Sequence, residues 1–441
     1  MIKKTEEKLI LFTRCPVPGK VKTRLIPQLG KKAAADLQKI MTGLAVLNAR
    51  CFSAASGVDI EIRHSGTNKP GMQKWLGKGL HYRKSGIGDI GRRMNNAFED
   101  AFREGYKRVV LIGCDCPLID KECLSQAFTA LRHKDMVIGP AADGGYYLLG
   151  LTEHKAELFG QIEWGTDSVF RKTIAIAENK HLKIAQTAEL SDIDTAEDLD
   201  LCRKMKLFEY NSKETVSVII ATLNEKANIR KTIETASPPA LEVIVADAGS
   251  SDGTAELART CGATVFAASC SRAALLNTAA LKAKGDILLF LHADTLLPRD
   301  YAKAVIRTLK NPHVAAGAFS LDIDGNTAGI RIMEKGANMR SKFFKLPYGD
   351  QAIFTTKNLF LKTGGFSHMP IMEDYELVKR LGKTGTIVTL PQKVKTSARR
   401  WRKLGTLKTF VINQLMIAGY KTGISPEKLA GLYRNHEISH K

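Results

Sequence analysis

Six short apolar runs in this chain each stop abruptly on polar or acidic residues, and stretches with helical spacing lie between them. The runs sit in LILF (9–12), RVVLIG (108–113), MVIGP (136–140), VSVIIATLNE (216–225), LEVIVADA (241–248) and DILLFL (286–291). A run such as Ile287–Leu291 is long enough to be a strand buried on both faces, as in a parallel sheet covered by helices. Strands of this kind alternating with helices predict α/β architecture. Open α/β sheets bind ligands outside the carboxyl ends of their strands, so the polar residues that close each run are expected to meet along one edge.

The runs fall into two groups of three. EYNSKET (209–215) is a polar stretch between them, and 441 residues exceed one ordinary domain core. We therefore expect two domains, 1–210 and 215–441, each with a mostly parallel sheet flanked by helices. The run of about 18 apolar residues that a membrane span needs is missing, and MIKKTEEKLILF has no signal-peptide pattern. The eight cysteines form no CxxC pair and no zinc-type spacing. These features suit a reduced, cytoplasmic protein, with Cys114 and Cys116 as buried apolar groups.

A net charge of +21 calls for an anionic partner: nucleic acid, an anionic membrane or a nucleoside diphosphate. Part of it lies in KVKTSARRWRKLGTLK (393–408), where Lys393, Lys395, Arg399, Arg400, Arg402, Lys403 and Lys408 have no acidic neighbour. Stacking platforms and nucleic-acid-binding motifs are missing from the sequence, so nucleic acid is not the expected partner. A membrane-surface contact with a polyprenyl or carotenoid-like acceptor is a further alternative. The segment 405–433 has helical spacing from Leu407 through Tyr420 and reads as a helix packed on the second domain, or else as an interfacial one.

In the second half, VSVIIATLNE brings Thr222, Asn224 and Glu225 to a strand end. LEVIVADAGSSDGT brings Asp247, with Asp252 placed to cap the next helix. GDILLFLHADT (285–295) brings His292 and Asp294. With KTGGF (362–366) and MEDYEL (372–377), these segments resemble family 2 glycosyltransferases of the GT-A fold, and more narrowly the arsenosugar-biosynthesis-type subgroup. The resemblance implies transfer of one sugar from a UDP- or GDP-linked donor to a small-molecule or lipid hydroxyl. It places Asp294 and His292 at a divalent cation, Mg²⁺ or Mn²⁺, which would offset the charge of the departing diphosphate. His292 departs from the family's Asp-x-Asp pattern. The resemblance further implies that Asp247 contacts the base, that Thr222 and Glu225 line the nucleoside pocket, and that Arg272 faces the nucleotide. Asp374 would be the catalytic base of an inverting displacement. SARRW (397–401) partly matches a Gln-x-x-Arg-Trp segment, with Arg400 toward the diphosphate and Trp401 for stacking. Ser397 replaces the glutamine, which implies single transfer rather than polymer synthesis.

In the first half, TRCPVPGKVKTRL (13–25) crowds Arg14, Lys20, Lys22 and Arg24 into a Pro/Gly loop after a strand, a place suited to phosphates. Asp115 ends a second run, Asp143 precedes a Gly pair, and LSDIDTAEDL (190–199) offers Asp192 and Asp194 as a helix begins. PVPGKVKTRL, GCDCPL, DGGYYLLGL and DIDTAEDL resemble the DUF2064 type of GT-A protein, with cousins among guanylyltransferases and molybdenum-cofactor nucleotidyltransferases. The resemblance implies a nucleotidyltransferase-like, second activity in a bifunctional chain. Lys22 and Arg24 would contact phosphates, and Asp115 with Asp192 would hold a metal.

Overall fold

A computed structural model describes residues 5–205, 214–268, 270–325, 327–399 and 405–438. The chain forms two compact units, Met1–Glu209 with Leu361–Gly364, and Tyr210–Phe360 with Gly365–Lys441.

The first unit is built on seven strands: β1 (Glu7–Arg14), β2 (Asp59–Ser65), β3 (His81–Lys84), β4 (Arg108–Gly113), β5 (Met136–Pro140), β6 (Tyr146–Leu151) and β7 (Ile184–Gln186). Their order is β3-β2-β1-β4-β6-β5-β7. The pairs are parallel except at β6, which runs antiparallel to both β4 and β5. Leu9 and Leu11 of β1 pack with Val110 and Ile112 of β4 in one apolar cluster. Ile10, Val109 and Leu111 belong to another. Successive side chains of a strand point to opposite faces, so an unbroken apolar run fills both layers. The long helix Ile26–Ser56 breaks at Gly30, whose φ of 77° suits glycine.

The second unit has eight strands: β8 (Val216–Thr222), β9 (Glu242–Asp247), β10 (Thr264–Ala267), β11 (Ile287–His292), β12 (Thr295–Leu296), β13 (Val314–Asp324), β14 (Ile353–Thr356) and β15 (Thr386–Ser397). The order is β10-β9-β8-β11-β14-β13-β15-β12. β8 to β11 form the parallel part, and β14 is antiparallel to both β11 and β13. Val218, Ile220, Leu289 and Leu291 fill one face. On β11, Phe290 instead meets Phe360 and Phe366, with ring centroids 5.3 and 4.8 Å away. Both units are thus α/β domains of GT-A type in tandem, with mostly parallel sheets flanked by helices. Among the described residues, no helix is long and apolar enough to cross a membrane.

Candidate active site

Strand register assembles the edge in the second unit. Thr222 pairs with Asp247, and His292 with Ala221, so three parallel strands end level with one another. The β8–helix loop turns at Asn224, in the left-handed region at φ 54°. Its side chain accepts the Ser251 N–H at 2.9 Å. Asp247 is 1% exposed, and its carboxylate accepts the Ser250 hydroxyl at 2.5 Å and the Ser250 N–H at 3.2 Å. Asp252 accepts the N–H groups of Lys226 and Thr254, tying together the starts of two helices. The Thr222 hydroxyl is buried with no hydrogen-bond partner.

A cavity of about 360 Å³ opens beside this edge, and Arg272, His292, Asp294, Gly349 and Asp374 line it. Arg272 opens the helix Arg272–Lys282. One arm of its guanidinium pairs with Glu373, and the other lies 2.8 Å from Nε2 of His292. Asp374 stands in the first turn of the helix Glu373–Leu381. Its Oδ2 accepts the Gly349 N–H at 2.6 Å, and its Oδ1 accepts the Tyr375 N–H at 2.7 Å. A carboxylate has further lone pairs, so one held by two backbone donors is oriented and can still accept a substrate proton.

Asp294 lies 3.7 Å from Nη2 of Arg399, and that guanidinium also forms a two-armed pair with Glu225. Burial, and then the charge of Glu225, raise the Asp294 carboxyl above its usual range, with Arg399 acting in opposition. Two acidic groups leaning on one exposed arginine make a corner short of positive charge. Asp294 offers that corner a carboxylate oxygen, whereas Nε2 of His292 faces the Arg272 guanidinium, and among the described residues no group of three or more His, Cys, Asp and Glu side chains is placed there to hold a metal.

The structure thus gathers Arg272, His292, Asp294 and Asp374 around one cavity. It places Glu225 next to Asp294 through Arg399, and it leaves Thr222 and Asp247 at the strand edge outside the cavity lining. Arg400 and Trp401 lie outside the described residues. The helical spacing from Leu407 through Tyr420 is the helix Thr406–Lys421, but sequence reasoning missed its part in the site, together with the loop Tyr348–Gln351 and the helix Pro426–Ile438. Met416, Ile417 and Tyr433 of the two C-terminal helices complete the lining. The signal for the loop was PYGDQ, in which a glycine stands just before an acid.

In the first unit, a cavity of about 330 Å³ collects Arg14, Lys20, Lys22, Arg24, Arg93, Asp115 and Asp194. Lys22 adopts φ 45° and its side chain is 4% exposed. Its ammonium donates to Asp115 Oδ1 at 2.8 Å, Asp194 Oδ1 at 2.6 Å and the Ile193 carbonyl at 2.6 Å. Burial works against that charge, but the two carboxylates outweigh it and its pKa lies above that of a free lysine. All three ammonium hydrogens are therefore engaged, and the cation between Asp115 and Asp194 is a lysine.

Asp143 lines a separate cavity, where its carboxylate accepts the Gly145 N–H at 2.8 Å. Burial, then the charges of Asp143 and Asp194, push the Asp192 carboxyl up to about 6. The helix expected near Asp192 begins later, at Leu199, because Asp198 accepts the N–H groups of Asp194 and Thr195 and holds that stretch as a turn. Among the described residues, no group of three or more His, Cys, Asp and Glu side chains is placed to hold a metal. Asp115 instead pairs with the Lys22 ammonium. Cys114 and Cys116 sit in the apolar core, and burial raises both thiols, that of Cys116 to about 12.

Comparison with known proteins follows this division. The chain is 36% identical over 110 residues to a 2-phospho-L-lactate guanylyltransferase of Methanocaldococcus vulcanius; the match takes in 24% of the chain. It spans about half the length of that curated relative, 48%. Among solved structures, it is similar to a candidate nucleotide-diphospho-sugar transferase of Desulfovibrio desulfuricans G20. That match has 32% identity and a TM-score of 0.43, covering 47% of this chain and 90% of the other. A second similar structure is the glucosyl-3-phosphoglycerate synthase of Mycobacterium tuberculosis, in complex with Mn²⁺, UDP and glucosyl-3-phosphoglycerate. There the identity is 18% and the TM-score 0.32, covering 46% of this chain and 80% of the other. Residues 49–166 match the family described as an uncharacterized protein conserved in bacteria, DUF2064. The chain joins that DUF2064 segment to a second one, residues 217–369, which matches the family described as glycosyl transferase family 2.

Proposed function

We propose that the second unit transfers one sugar from a nucleotide-diphosphate sugar to a hydroxyl acceptor, with inversion at the anomeric carbon. The observation that carries this reading is the meeting of Arg272, His292, Asp294 and Asp374 around one cavity at the carboxyl edge of a family 2 segment. Departure of a nucleoside diphosphate builds negative charge that needs fixed positive groups. Arg272, held by Glu373, supplies one such group. A divalent cation, Mg²⁺ or Mn²⁺, held by Asp294 and His292 would supply electrostatic stabilisation of the leaving diphosphate when bound. Asp374 takes the proton of the acceptor hydroxyl as it attacks, and the Gly349 and Tyr375 N–H groups hold its carboxylate in the orientation for that transfer. The apolar side of the cavity, formed by Ile371, Met416 and Ile417, suits an acceptor with a hydrocarbon portion.

For the first unit, we infer a nucleotide-handling role of guanylyltransferase type. The guanylyltransferase relative and the basic cavity around Arg14, Lys20 and Arg24 support it. The fusion makes the chain bifunctional, with the first activity supplying activated sugar to the second.

Release of nucleoside diphosphate from UDP-, GDP- and CDP-linked sugars tests the transferase reading. Wild-type chain should release diphosphate from one donor class, and Asp374→Asn should lose about 100-fold or more of that rate. Equal release by both proteins would refute the assignment of the base.

A further inference from the structure

Eight of the twelve large apolar side chains exposed among the described residues lie in 332–344 and 411–432 of the second unit. The helix Ala328–Phe344 carries four of them: Ile332 at 63% exposed, Met339 at 58%, Phe343 at 70% and Phe344 at 69%. Spacings of seven and eleven residues place Ile332, Met339 and Phe343 on one helical face. Exposed Lys335 and Lys342 run along the margin of that face, and exposed Lys345 follows the helix end. The inward side of the same helix is fixed by buried Ile330 and Ser341 and by Asn338, which brackets the Leu321 peptide at 2.7 and 2.9 Å. The outward apolar face is therefore a settled surface of the fold.

This helix packs beside Thr406–Lys421, which in turn packs on Pro426–Ile438. That pair exposes Val411, Leu415 and Leu432 outward, while its Met416, Ile417 and Tyr433 line the cavity. An apolar patch of this kind marks an interaction surface. A second copy of the chain would set one set of lysines against another in a protein that already carries +21. An anionic lipid surface instead accepts both components, rings and aliphatic groups entering the headgroup boundary and lysines meeting the phosphates.

We propose that the second unit docks on anionic membrane surfaces through the outward face of Ala328–Phe344, joined by the exposed sides of the two C-terminal helices. The docking stands without the transferase reading. Where that reading also holds, the cavity wall formed by Met416 and Ile417 is the inner side of the docked layer, and the acceptor is reached from the lipid.

Co-sedimentation of the full chain with vesicles tests this without any turnover. The chain should pellet with an equal mixture of phosphatidylcholine and phosphatidylglycerol, stay in solution with phosphatidylcholine alone, and be released by salt. The double substitution Phe343→Ser with Phe344→Ser should weaken binding by about tenfold or more, with an unchanged thermal midpoint. Lys335→Glu with Lys342→Glu, which leaves the apolar face intact, should weaken it by a further route, about fivefold or more per lysine. Wild-type chain that ignores anionic vesicles, or that binds both compositions equally, overturns the proposal. So does either double variant binding like wild type, or a wild-type dimer that the phenylalanine variant converts to monomer while vesicles capture neither.

Discussion

The backbone N–H of Gly349 donates to Asp374 Oδ2 at 2.6 Å, and a Cβ at 349 would stand 2.9 Å from that same oxygen. The same Cβ would stand 2.9 Å from Nε2 of His292. The candidate base and the candidate cation ligand thus approach each other across a position that only glycine can fill without displacement.

Gly349→Ala should therefore lower kcat/KM by about tenfold to 100-fold through displacement of Asp374 and His292, because sub-ångström misplacement at reacting groups is costly. The thermal midpoint should stay close to wild type, since φ at 349 is outside the left-handed region. Steady-state kinetics with the preferred donor would check this, and an unchanged kcat/KM would show that the contact has no bearing on the reaction.

Removing Glu373 leaves Arg272 without its buried partner. Glu373 is 5% exposed while the Arg272 side chain is 40% exposed, so solvent screens part of the loss. Glu373→Gln should cost about 1–2 kcal/mol of stability, and a double-mutant cycle with Arg272→Met should recover a favourable coupling. Additive effects in urea unfolding would contradict the pairing.

Lys22→Met would leave Asp115 and Asp194 facing each other with no ammonium between them. Those carboxyl groups are 51% and 41% exposed, which again limits the penalty. About 1–2 kcal/mol of stability should be lost, and Mg²⁺ should restore part of it in the variant while changing wild type little. Thermal unfolding with and without the ion reads both effects.

His64 is 1% exposed, and neither ring nitrogen has a hydrogen-bond partner. Burial, followed by the charge of Lys84, lowers its pKa below that of a free histidine. The unfolded chain then binds the proton more readily than the folded one, so stability is full above about pH 6.5 and falls as pH drops below it. His64→Leu should flatten that acid limb. Thermal midpoints from about pH 8 to about pH 5 would show it, and parallel slopes for the two proteins would contradict it.

Much of the fold was legible because the apolar runs were unbroken. RVVLIG and MVIGP are β4 and β5 residue for residue, and Ile287–Leu291 is the buried part of β11. Such runs fill two layers of core, a requirement that leaves few alternatives. The antiparallel insertion of β6 and β14 was not legible, because strand direction follows from the connections and leaves no trace in side-chain pattern.

The site was legible in part for a related reason. Polar residues at parallel strand ends announce themselves by interrupting an apolar run, as His292 and Asp294 do. The Tyr348–Gln351 loop and the lining from Met416 and Tyr433 come from irregular or C-terminal segments, which reach the cavity only through tertiary packing. Lys22 shows the opposite limit. Sequence placed it in a basic loop, yet its ammonium turns inward to two carboxylates, a choice set by the neighbouring Asp115 and Asp194.

The most direct test of the central claim is a thermal-shift series of the full chain with UDP, GDP and CDP and their sugars, each with and without Mn²⁺. The account predicts that one nucleotide class raises the midpoint only when Mn²⁺ is present, and that Asp294→Ala abolishes this rise while leaving the unliganded midpoint near wild type. Stabilisation that is equal without the ion, or that persists in Asp294→Ala, would contradict it.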